Sequence, residues 1–163
     1  MTAERARNGP VPEALTQERP RIGVYVCHCG TNIAGMVDVE ATANVAAQME
    51  DVVVARHYAY MCSDPGQALI KDDIRDLGLN RVVVASCSPL MHETTFRRAC
   101  AEAGLNPFLF QMTNIREHCA WVSEESAGAT QKARALVGAA VSRVGLHEPL
   151  EMRQETVQQS ALV

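Results

Sequence analysis

Five of the six cysteines in this chain stand where a loop follows an apolar run, and thiols so placed can do chemistry. Cys27 and Cys29 flank a histidine in Val26-Cys27-His28-Cys29-Gly30. Cys62 lies in Tyr60-Met61-Cys62-Ser63-Asp64-Pro65, Cys87 in Ala85-Ser86-Cys87-Ser88-Pro89, and Cys119 ends Asn114-Ile115-Arg116-Glu117-His118-Cys119. A thiolate that binds metal or attacks a substrate needs an approachable loop and a positive field that favours the ionised form. Cys62 and Cys87 each precede a proline-containing helix start, where free N–H groups and the helix dipole stabilise anions. Arg116, close to Cys119 in sequence, adds a cation. Clusters ligated by thiolates are anionic, and N–H groups directed at their sulfurs tune the potential, so this pattern predicts an iron–sulfur site.

The spacing is not the Cys-x-x-Cys-x-x-Cys run of a compact ferredoxin, nor the Cys-x-x-Cys knuckle of a zinc ribbon. Two other chemistries therefore stay open. A structural zinc pinning the loops of a binding or docking module predicts a colourless, redox-silent protein. A thiol–disulfide enzyme using Cys27 and Cys29 predicts a reactive thiol and activity without metal. Cys100 reads differently, as a core residue four positions after Phe96 within a helix. His28 can bind or donate to a cluster or simply face solvent. His92 and His118 lie near the same edge in supporting or surface roles, and the tyrosines and Trp121 read as packing. Gly30-Thr31-Asn32-Ile33-Ala34-Gly35 lacks the dinucleotide Gly-x-Gly-x-x-Gly pattern and reads as a loop.

The elements that must position these thiols alternate. Apolar, β-branched runs predict strands at 21–26, from 52 through 61, at 81–85 and at 107–112. Between them Asp38 caps a helix at 39–49, and Asp64 with Pro65 and Gln67 starts one that Gly78 ends. A third helix spans 90–103, and Ser123 caps a long last one over 124–146. Short connections in a β-α-β-α order call for a parallel sheet of about four strands with helices on both faces, a Rossmann- or flavodoxin-like α/β fold. Ligands of such sheets sit at the carboxyl ends of the strands, where the cysteines fall.

At 163 residues the chain suits one domain, which buries roughly 70% of its unfolded surface without disulfide staples. A net charge of −4 gives no electrostatic reason to expect nucleic acid or an anionic membrane as partner. No apolar run reaches the length of a membrane span, and no signal-peptide core opens the sequence, so the expected compartment is the cytoplasm. Residues 1–20 read as a disordered leader, 21–150 as the folded domain and 151–163 as a linker or strand.

Six motifs in one order carry a resemblance: residues 26–35, 60–67, 81–89, 91–98, 104–110 and 114–119. Together, over about 21–151, they resemble the amino-terminal domain of the iron–sulfur flavoprotein of heterodisulfide reductase, its A subunit, and the relatives of that protein. The resemblance implies a [4Fe–4S] cluster, with the family's cysteines falling on Cys27, Cys29, Cys62, Cys87 and Cys119. Five candidates exceed the four ligands a cubane usually takes. It also implies a role in electron transfer associated with flavin-based bifurcation, alongside other subunits or domains of a reductase complex. In the family an FAD domain follows; here the sequence stops before any glycine-rich turn. FAD is therefore expected only in the full-length protein, and the chain reads as an amino-terminal piece without its own catalytic site.

Overall fold

The computed structural model describes residues 19–154 and 156. The expected leader lies outside the described residues up to position 18, and so does most of the expected final strand. Four strands, β1 (Ile22–Cys27), β2 (Val52–Tyr58), β3 (Arg81–Ser86) and β4 (Phe110–Asn114), form one parallel sheet in the order β2-β1-β3-β4. β1 and β3 are buried along their whole length, as continuous apolar runs inside a covered sheet must be.

The helices are α1 (Thr31–Ala34), α2 (Val39–Ala46), α3 (Asp64–Leu77), α4 (Pro89–Glu102) and α5 (Ser126–Gly145). Val24, Val26, Val83 and Ala85 pack against α2 and α5 on one face. Tyr25, Val82 and Val84 pack against α3 and α4 on the other. This split follows from right-handed crossovers: the step from β1 outward to β2 and the steps back across to β3 and β4 put their helices on opposite faces. The strand order therefore reverses between β1 and β3, and a crevice opens at their carboxyl ends.

Several local signals act as expected. Asp38 accepts from Ala41 N (2.9 Å) at the start of α2, and Gly78 closes α3 in the left-handed region (φ 60). Others need correction. Ser63, not Asp64, caps α3, accepting from Gly66 N (3.4 Å); Asp64 is the first helical residue and Pro65 the second. β2 ends at Tyr58, so residues 59–62 form a turn rather than a longer strand. β4 begins at Phe110 rather than Pro107, because the Asn106 side chain accepts from Phe108 N (2.9 Å) and holds residues 106–108 in a turn. α5 starts at Ser126 without a side-chain cap, so Ser123 does not cap it. Residues 31–34, read as loop, make the single helical turn α1. Among the described residues no helix is long and apolar enough to cross a membrane.

Candidate metal centre

The crevice between β1 and β3 gathers the thiols. Cys27 is the last residue of β1 and is 3% exposed; Cys87 directly follows β3 and is 5% exposed. Cys29 and Cys62, on the adjoining turns, are partly exposed. These four line one recess together with Tyr60, Ser86, His92, Phe96 and Arg116. The free space between the side chains is only about 40 Å³, so a bound group of any size requires lining side chains to give way.

Local backbone geometry delivers each thiol. Cys29 (φ 49) and Gly30 (φ 61) both adopt left-handed conformations that fold the chain back after β1. Glycine does so freely, but cysteine does so at a cost, and such outliers gather at functional sites. The turn carrying Cys62 rests on the start of α3: a side chain at Gly66 would lie 2.6 Å from Met61 Cα and from the carbonyl oxygens of Met61 and Tyr60. Gln67 donates to Cys62 O (2.8 Å) and fixes the same turn.

Polar groups converge on the sulfurs. Cys29 N–H and Met61 N–H point at Cys27 Sγ, at 3.2 and 3.4 Å. Arg116 Nη1 lies 3.4 Å from Cys29 Sγ. The Ser86 hydroxyl is 1% exposed on the wall of the recess, where the neighbouring Cys87 thiol is the group it favours in ionised form. A buried hydroxyl so placed can donate to a sulfur-rich anion.

Burial pushes the Cys27 thiol up to about 11, against the pull of the Met61 and Cys29 amides. Burial also raises the Cys87 thiol, while Arg116 opposes the rise. The pocket thus penalises free thiolates and favours thiolates neutralised by bound cations. Glu117 shows a balance of the same kind: burial drives its carboxyl up, but the hydrogen bond and charge of Arg116 together with backbone N–H donors outweigh it and hold the carboxyl below its usual range.

Not every sequence-derived candidate arrives. Cys119 is fully buried in the apolar layer with Ile33, Ile115 and Ala129, and it does not line the recess. Arg116, expected beside Cys119, reaches across to Cys29 instead. Cys100 is fully buried in the opposite layer, as its place beside Phe96 implied, and burial raises it to about 12. His92 lines the recess and His118 is exposed away from it. His28 stacks on His57, with Nε2 2.8 Å from Nδ1 and ring centroids 5.1 Å apart. Burial, then the neighbouring His57, lowers the pKa of His28. Sequence reasoning missed Ser86, which shares the recess wall simply by preceding Cys87, and the His57 partner of His28, which has no spacing signal because the adjacency of β1 and β2 creates it.

Among the described residues, no three His, Cys, Asp or Glu side chains converge as ligands of one ion do.

No family model matches the sequence. The chain is similar over 149 residues, at 58% identity, to the A subunit of the H(2):CoB-CoM heterodisulfide,ferredoxin reductase of Methanothermobacter marburgensis, covering 91% of this chain and 23% of that protein. It is 57% identical over 150 residues to the second iron-sulfur A subunit of the CoB--CoM heterodisulfide reductase of Methanopyrus kandleri, covering the same shares. It is 51% identical over 150 residues to a protein of Archaeoglobus profundus that is like the heterodisulfide reductase A subunit, covering 91% of this chain and 21% of that protein. The chain thus spans between a fifth and a quarter of these curated relatives.

Proposed function

We propose that this chain, related across nine-tenths of its length to part of the A subunit of heterodisulfide reductase, is an electron-transfer module holding a [4Fe–4S] cluster on Cys27, Cys29, Cys62 and Cys87. The observation that carries the reading is the recess itself: four thiols from three connections meet at the topological switch point of a parallel sheet. One-electron uptake and release is the chemistry such a cluster supplies when bound.

The chain's own groups account for the rest. Buried Cys27 and Cys87 form the floor, and the more exposed Cys29 and Cys62 form the mouth. The amides of Cys29 and Met61, aimed at Cys27 Sγ, offset negative charge there. The Ser86 hydroxyl and the Arg116 guanidinium add donors on two further sides. A lone zinc draws its thiolates to about 2.3 Å from one centre. A polynuclear cluster spreads its ligands over several metal corners, and four thiols line the recess. With four thiols at the recess, Cys119 falls to a packing role.

In a longer protein this module would sit beside an FAD-binding domain and work with other subunits of a heterodisulfide reductase-like, flavin-bifurcating complex in the cytoplasm. Single alanine substitutions test the ligand set. Each of Cys27→Ala, Cys29→Ala, Cys62→Ala and Cys87→Ala should abolish or sharply cut bound iron and acid-labile sulfide, whereas Cys119→Ala and Cys100→Ala should retain both. Full iron content in the first four variants would refute the assignment.

A further inference from the structure

We infer that Arg116 is the residue that sets the reduction potential of this centre, through a fixed positive charge held against Cys29; the inference rests on the cluster reading above. Four neighbouring residues pin the guanidinium. Its Nε and Nη2 donate to Glu117 Oε1 at 3.2 and 2.8 Å. Nη2 also meets Met91 Sδ at 3.1 Å, and Nη1 reaches Cys29 Sγ at 3.4 Å. The guanidinium carbon lies 4.5 Å from the centroid of the Trp121 ring. An arginine's flat fork suits this geometry: one face on the indole, one edge on the carboxylate, one N–H left for the sulfur.

Although Trp121 and Met91 are themselves more than half exposed, the Arg116 side chain they flank is only 12% exposed. The cation is therefore screened far less than a surface charge. Reduction adds an electron to a group that is already anionic, and a nearby fixed cation favours the reduced form. Glu117 opposes this, yet it holds the guanidinium by its Nε and Nη2 edge, so the Nη1 end of the cation is the part that meets the thiol. The net effect on the site is positive. A mostly buried unit charge in contact with a ligand sulfur is worth about tenfold in the redox equilibrium after that partial cancellation. For a one-electron couple tenfold corresponds to about 59 mV.

The test is a potentiometric titration, followed by visible absorbance and low-temperature paramagnetic resonance, on the full chain reconstituted without oxygen. Arg116→Gln should lower the midpoint potential by about 59 mV or more, and Arg116→Lys should restore most of the loss. An unchanged potential in Arg116→Gln, or Lys no better than Gln, would overturn the assignment. Should Arg116→Gln hold no iron, Glu117→Gln decides, since it keeps the cation and removes its counter-charge: a raised potential upholds the inference and an unchanged one overturns it. Iron content separates this failure from failure of the cluster reading, because wild-type protein that binds no iron refutes both, whereas loaded protein with an indifferent Arg116 refutes only this one.

Discussion

Replacing Cys29 by glycine and, separately, by alanine divides the two demands made on that position. Its thiol lines the recess, and its backbone sits at φ 49, where a side chain collides with its own carbonyl neighbourhood. For a residue with a Cβ this conformation costs about 1–2 kcal/mol. Glycine escapes that cost but loses about 0.5–1 kcal/mol in chain entropy relative to alanine. Both variants lack the sulfur and its contact with Arg116, so those losses cancel in the comparison. The glycine variant of the metal-free protein should therefore be the more stable by about 1 kcal/mol, which for a chain of this size is about 2–4 °C in melting temperature. Thermal and urea melts followed by circular dichroism read the difference, and both variants should fail to hold iron. An alanine variant as stable as the glycine variant, or more so, would show that the backbone stores no strain there. Full iron in either would show that the thiol is not a ligand.

Three further outcomes follow from the same geometry. Tyr25, fully buried two residues before Cys27, donates to Asp73 (3.1 Å), which Arg56 also grips at 2.7 and 2.8 Å. Asp73→Ala should cost about 2–3 kcal/mol by chemical denaturation, mostly from the stranded tyrosine hydroxyl because Arg56 is half-exposed, and Tyr25→Phe added to it should recover about half; strict additivity would refute the coupling. Burial lifts Cys100 from 9.0 to about 12, so the unfolded chain loses its proton first as pH rises. Stability present below pH 9 should then fall by about 1.4 kcal/mol per pH unit between 9 and 12 from this thiol alone, and a Cys100→Ala variant with an unchanged slope in pH-dependent melts would contradict this. Gly66→Ala should push the Cys62 turn outward and reduce iron loading, because the obstructing atoms are backbone and cannot rotate away; normal loading and stability in that variant would show that the turn is not set by this contact.

What sequence reasoning reached, and where it stopped, has a physical pattern. The buried strands were legible because Val82, Val83 and Val84 form a run that only a doubly covered strand accommodates, and Asp38 and Gly78 bounded their helices by local chemistry alone. A parallel sheet brings all its carboxyl ends to one edge, so the nearness of Cys27, Cys29, Cys62 and Cys87 at one recess was readable. That Cys119 turns away was not readable. It follows the outer strand β4, beyond the switch point, and whether the next turn faces the crevice or the α5 layer depends on packing against Ile33 and Ala129. Arg116 and Cys29 are 87 residues apart, and nothing near either announces the other. The start of β4 was misplaced because Phe108 and Leu109 look like strand, while the Asn106 turn that excludes them depends on one side-chain hydrogen bond.

The central claim is that four thiols at the β1/β3 crevice hold an electron-carrying cluster. Iron, acid-labile sulfide and zinc content, measured with a visible spectrum on protein purified and reconstituted without oxygen, tests it most directly. The account predicts a brown protein with roughly four iron and four sulfide per chain, bleached by dithionite. A colourless protein with one zinc, or one that binds no metal, would contradict it.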